Sequence, residues 1–237
     1  MIVVIPQEPF GRLGAVLSAL IIVFSLIGLT LHEDFYAGRR RKGFFFYYTN
    51  VSNLLVLVYF ALLAPRLYAA PSLRPLIPHA EFSVMMSIML TFAVFHHLLF
   101  PSIRQQMRHA PRDRSFAILF SDNLLIHYLV PWLVFAYWLL CSPGKAELGP
   151  SDALLWTAVP LLYLSVLFLS APFRSDIPGV GSPFPYPFLD VRRLGVRRVA
   201  GICTLLYGVC TLAGFAVLGL TRLAVLRWGG GHALLLI

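Results

Sequence analysis

Residues 44–64 read FFFYYTNVSNLLVLVYFALLA, twenty-one positions without a single Asp, Glu, Lys or Arg. About 20 apolar residues are what an α-helix needs to cross the hydrocarbon core of a bilayer. Five further stretches meet the same criterion. Residues 13–31, 153–171 and 199–221 are also free of charged residues, 82–100 carries only His96 and His97, and 116–140 carries Asp122 and His127. The connections between them are polar and rich in Pro, Gly and Arg, as breaks between helices should be. Over all 237 residues 59% are hydrophobic and 12% are charged. That is half the charge of an ordinary water-soluble domain, so a cytosolic globule is excluded. The expected fold is an all-α polytopic membrane bundle of six transmembrane helices, forming one integral membrane domain over 1–237. No basic segment precedes the first span and no small-residue cleavage site follows it, which argues against a signal peptide.

The net charge of +9 is a topology signal. Connections 32–43, 101–115 and 172–198 hold 4, 4 and 5 of the 19 Lys and Arg residues. The positive-inside rule places those three in the cytoplasm and both termini outside. Arg39, Arg40, Arg41 and Lys42 could attract anionic membrane lipid, and nothing is left to suggest nucleic acid. The same reading gives a multi-pass integral membrane protein, in the cytoplasmic membrane of a bacterium or the endoplasmic reticulum or another endomembrane of a eukaryote. Cys141, Cys203 and Cys210 form no even framework and no CxxC, and Cys203 and Cys210 lie two turns apart, too far to bridge.

Polar groups within spans are costly and usually face the protein interior, so each is a functional candidate. Thr49, Ser52 and Asn53 stand at i, i+3 and i+4 and share one helical face, with Asn50 about 100° away. Asn123 and His127 are i, i+4 neighbours, and Asp122 is near enough to support them. Thr49 lies roughly 8 Å and His127 roughly 16 Å inside their spans at 1.5 Å per residue. A threonine hydroxyl becomes a nucleophile when a base such as histidine takes its proton, and the resulting oxyanion needs donors in a dry site. Thr49 with His127 would therefore make an acyl-transfer dyad, with Asn53 and Ser52 as oxyanion donors. The competing interpretation is structural: Ser and Thr in membrane helices bond their own backbone, and Asn and His hold helices together.

A haem between His127 and His96 or His97 is geometrically conceivable. No second histidine pair or attachment motif accompanies it, and neither a cofactor nor a metal is expected. His32, His79, His109 and His232 fall in connections or tails and are expected to be solvated. In the sixth span Ala200, Gly201, Thr204 and Gly208 would permit close helix packing. Connection 172–198 has five prolines and three glycines, so it cannot be a regular helix. Phe184, Tyr186 and Phe188 alternate there, followed by Asp190. Such an extended aromatic segment could anchor at the interface or close a cavity mouth as a lid.

Three runs, YYTNVSNLL at 47–55, LLIHYLVPWLVFAYWLL at 124–140 and PFPYPFLDV at 183–191, together resemble the androgen-induced membrane protein family, including its bacterial six-span relatives. The resemblance spans residues 12–195. It rests on the spacing of the Thr-x-x-Ser-Asn, His-x-x-x-Pro and Tyr-Pro-x-Phe-Leu-Asp motifs. It implies a hydrolase of fatty acid esters of hydroxy fatty acids, with its threonine nucleophile at Thr49 and its histidine at His127. Tyr137 stands before Trp138 where the bacterial pattern has an acid, and the His96–His97 pair also departs from that pattern. A lipid substrate from the bilayer is the partner this implies. The alternative from another class is a non-enzymatic carrier or lipid-binding protein with a polar intramembrane cluster.

Overall fold

The computed structural model describes residues 11–32, 43–101, 104, 123–178 and 180–228. Six long helices run through them, and no strand occurs among the described residues. They are α1 (Arg12–His32), α2 (Tyr48–Ala69), α3 (Pro71–Leu99), α4 (Leu125–Cys141), α5 (Asp152–Phe173) and α6 (Val196–Trp228). All but α4 are long and apolar enough to cross a bilayer, which by length and composition marks a multi-pass membrane protein. The described part of α4 covers 17 residues. The first portion of the expected fourth span, with Asp122, lies outside the described residues, as do His109 and His232.

Helices α1 to α4 pack around one apolar core. Ile21, Val56, Phe82, Ile88, Val130 and Val134 are among its buried members. The other two helices stand at its edge, and Leu162, Leu169, Leu205 and Leu212 on them are each at least two-thirds exposed. In water such a surface would drive aggregation; against acyl chains it costs nothing. Helix α6 approaches α5 through Gly214, where a Cβ would meet Ala153 O at 2.9 Å. The expected packing glycines, Gly201 and Gly208, have nothing within 4 Å. The close contact therefore sits at a different glycine from those expected.

Three of the helices contain a π-turn: Tyr59–Leu63 in α2, Phe95–Leu99 in α3 and Leu125–Leu129 in α4. In each, the following residue donates its N–H five residues back: Ala64 to Tyr59 O, Phe100 to Phe95 O and Val130 to Leu125 O. The next residue is in every case a proline: Pro65, Pro101 or Pro131. Proline lacks an N–H and its ring crowds the carbonyl four residues earlier. Widening the preceding turn relieves that crowding while keeping the backbone bonded.

The second connection corrects an expectation. Residues 65–81 read as a polar break, yet α2 continues to Ala69 and α3 starts at Pro71, well ahead of Phe82. Pro71 and Pro78 each occupy the first or second position of a helical segment. A fixed φ favours that position, and the missing N–H there would have had no partner.

Connection 172–198 is folded rather than trailing. Phe184, Tyr186 and Leu189 join Tyr48, Tyr163 and Leu167 in a second buried cluster. Asp190 caps the turn Val191–Leu194, its Oδ1 accepting the N–H groups of Arg192 (2.9 Å) and Arg193 (3.2 Å). Asp190→Ala should lower stability by about 1 kcal/mol and raise the rate of limited proteolysis between Pro187 and Gly195. An unchanged cleavage rate would remove the capping role.

Candidate functional site

Tyr48 and Thr49 open α2, where the first backbone N–H groups of a helix have no partner within it. The connection supplies one. Tyr186 Oη accepts the N–H of Tyr48 at 3.0 Å and lies against both the N–H and the hydroxyl of Thr49. Burial pushes the Tyr186 phenol up to about 12, partly offset by those contacts with Thr49 and Tyr48. The Tyr186 ring is stacked on Phe188 with centroids 5.4 Å apart and has Tyr47 edge-on at 6.1 Å.

The shared face expected of α2 points inward, since Thr49, Ser52 and Asn53 are all buried. Ser52 Oγ lies 3.0 Å from Thr49 O and shares a 2.6 Å hydrogen bond with Thr91 Oγ1. Asn53 Nδ2 donates to Thr49 O at 2.9 Å and to Ile126 O at 3.2 Å. One amide thus ties the turn carrying Thr49 to the π-turn carrying His127. Asn50 is also buried, and its Nδ2 donates to Phe44 O at 3.1 Å, fastening the chain just before α2.

His127 is 4% exposed, and among the described residues its Nδ1 has no hydrogen-bond partner. One ring face lies on Phe95, with centroids 3.6 Å apart and planes 12° from parallel. His32, expected to be solvated, meets the imidazole edge-on at 6.4 Å. Gly28 of α1 allows this approach, because a Cβ there would come within 2.6 Å of Ile126 Cγ2. No hydrogen bond joins Thr49 to His127 among the described residues. Asn53 joins the two turns that carry them, and Phe95 covers one face of the imidazole. Asn123 is half-buried at the start of the described α4.

A cavity of about 80 Å³ lies beside Thr49, bounded by α2, α3, α5, α6 and the 186–189 segment. Thr49, Phe95, Leu164, Tyr186, Phe188 and Tyr207 are among its walls. Its lining is almost wholly apolar. Helices α5 and α6 meet at Gly214, and the cavity fills the space between them farther along. A chain of methylenes fits such a space chemically, with Thr49 and Tyr186 side by side in its wall. Phe184, by contrast, packs on Phe168 at 5.7 Å, and Asp190 is occupied as a cap.

His96 and His97 are exposed, and His96 Nδ1 is paired with Tyr128 Oη at 3.1 Å. With His127 buried beneath Phe95, they do not face it across a gap that haem would fill. His79 is not simply solvated: its Nδ1 lies 2.6 Å from the buried Asp152 Oδ1, linking α3 to α5.

A second buried polar group escaped the sequence reading. Glu81 is 3% exposed within α3, and its Oε1 accepts the hydroxyls of Tyr59 at 3.1 Å and Tyr68 at 3.0 Å. The signal was a lone acid next to an apolar run. It was passed over because the span was started one residue later, at Phe82.

No protein-family profile, curated protein or solved structure matches the chain.

Proposed function

We propose that this chain is a six-span intramembrane lipid ester hydrolase of the kind found in the androgen-induced family, with Thr49 as nucleophile and His127 as base. The observation that carries the reading is the position of Thr49. Its side chain stands at the wall of an apolar cavity, one asparagine amide away from the turn that bears His127. A fatty ester, such as one of a hydroxy fatty acid, would enter from the bilayer between α5 and α6 and lay its acyl chain in the cavity. Thr49 Oγ1 would then attack the ester carbonyl as His127 takes its proton. Water would hydrolyse the acyl-enzyme with His127 as base again. Phe95 lies on a face of the imidazole, and the proton would be taken at a ring nitrogen on its edge. The fourth span would be completed by residues 116–124, making six, with the Arg-rich connections 32–43, 101–115 and 172–198 in the cytoplasm beside anionic lipid.

A second reading is favoured by one observation, the Phe95 ring covering His127. In it the cavity binds a lipid without cleaving it, and Thr49 holds the lipid's polar end. Labelling in detergent with a fluorophosphonate probe separates the two. The wild-type chain should label and Thr49→Ala should not. A well-folded wild type that stays unlabelled would favour the binding protein instead.

A further inference from the structure

If Thr49 attacks a carbonyl, the oxygen of that carbonyl becomes an anion and needs a donor. Asn53, expected from the sequence to provide it, has both amide hydrogens committed, to Thr49 O at 2.9 Å and Ile126 O at 3.2 Å. The Ser52 hydroxyl is engaged with Thr49 O and Thr91 Oγ1. Four other hydroxyls of the cavity wall are engaged as well, Thr91 with Ser52 and three with backbone. Tyr163 Oη donates to Phe46 O at 2.6 Å, Tyr48 Oη to Ser87 O at 3.4 Å, and Thr157 Oγ1 to Leu154 O at 2.5 Å.

Tyr186 differs from all of these. Its oxygen accepts from the N-terminus of α2, through Tyr48 N–H at 3.0 Å, and lies against the N–H and the hydroxyl of Thr49. With one lone pair turned to the helix, its hydroxyl adjoins Thr49 Oγ1 at the cavity wall. Its ring is fixed by Phe188 on one face and Tyr47 at the edge, so the hydroxyl is held in place before any substrate arrives.

We propose that the Tyr186 hydroxyl is the oxyanion donor of this site, an assignment that rests on the hydrolase reading above. As the bond from Thr49 Oγ1 to the carbonyl carbon forms, the π pair moves onto the carbonyl oxygen. That oxygen accepts the Tyr186 O–H hydrogen bond, and no proton is transferred. The Thr49 proton leaves to His127. Collapse of the intermediate restores the carbonyl and breaks the bond to the ester oxygen, which takes the proton back from His127 and leaves as the alcohol. The N–H of Tyr48 polarises the phenol further, so the dipole of α2 is relayed to the reacting oxygen. A preorganised donor of this kind contributes about 10²–10³ in kcat. The phenol stays protonated across the physiological range, because burial holds it at about 12. The titratable groups facing it are Tyr47, Tyr48 and Tyr163.

The test uses the full chain in lipid nanodiscs and a long-chain p-nitrophenyl ester. Tyr186→Phe should lower kcat by about 10²–10³ with KM unchanged, since the ring and the cavity wall remain. A fluorinated tyrosine at 186 keeps the hydroxyl but makes it more acidic. It should retain turnover at neutral pH and lose it at a lower alkaline pH than the wild type. A Tyr186→Phe chain with wild-type kcat, or a fluorinated chain with an unshifted alkaline limb, would overturn the assignment. If Tyr186→Phe fails to fold, the fluorinated chain decides alone. A wild type no faster than Thr49→Ala would bring down the hydrolase reading itself, a result distinct from either failure at Tyr186.

Discussion

A His127→Ala chain should turn over a fatty ester about 10²–10⁴-fold more slowly than wild type, the range a positioned general base contributes. It should still bind a fatty acid with undiminished affinity. The contrast follows from where the imidazole sits. His127 lies behind Phe95 and is not among the residues lining the cavity, so the acyl chain never touches it. Its loss removes the proton acceptor for Thr49 and leaves the apolar walls in place. The measurement pairs ester turnover with displacement of a fluorescent fatty acid from the same preparation. If His127→Ala kept full turnover, Thr49 would not depend on that histidine. Loss of fatty-acid binding along with turnover would instead make His127 a packing residue beneath Phe95.

Glu81→Ala should lower the stability of the bundle by about 3–5 kcal/mol. Two buried tyrosine hydroxyls, Tyr59 and Tyr68, donate to the same carboxyl oxygen. Both would lose that acceptor, at roughly 1–3 kcal/mol apiece, before counting the space vacated. Tyr59 and Tyr68 are on α2 and Glu81 is on α3, so the carboxyl fastens those helices away from the Thr49 end. Glu81→Gln keeps a carbonyl oxygen for both hydroxyls and should cost clearly less. Thermal unfolding in detergent reads both variants. Equal, small losses would mean that the two hydroxyls find other acceptors.

The inward face of α2 was legible because one span carried three polar side chains at helical spacing. Facing requires no knowledge of neighbours. The partners of those side chains were not legible. Ile126, Thr91 and Tyr186 lie 73, 39 and 138 positions from the groups they meet on Asn53, Ser52 and Tyr48. Only the packing of α2 against α3, α4 and the connection brings them together. Asn53 looked like a free donor for that reason and proved to be a tie between two turns. The apolar runs located the helices but not their ends. Apolar content fades gradually near the interface, whereas Pro71 and Pro78 start a helix as readily as they break one. Glu81 fell outside the reading for the same reason.

The π-turns bear on how the site is aimed. Each holds one residue more than the α-helical turn it replaces. Restoring an α-turn would therefore rotate one side of the helix against the other by about 100° and shift it by about 1.5 Å. In α4 the widened turn holds His127 itself, and in α3 it begins at Phe95, the ring stacked on that imidazole. Both members of the stack thus sit at an indexing point, where a single residue of slack decides which way a side chain faces. Pro101 and Pro131 hold that slack in place from the next turn, as a detent holds a dial.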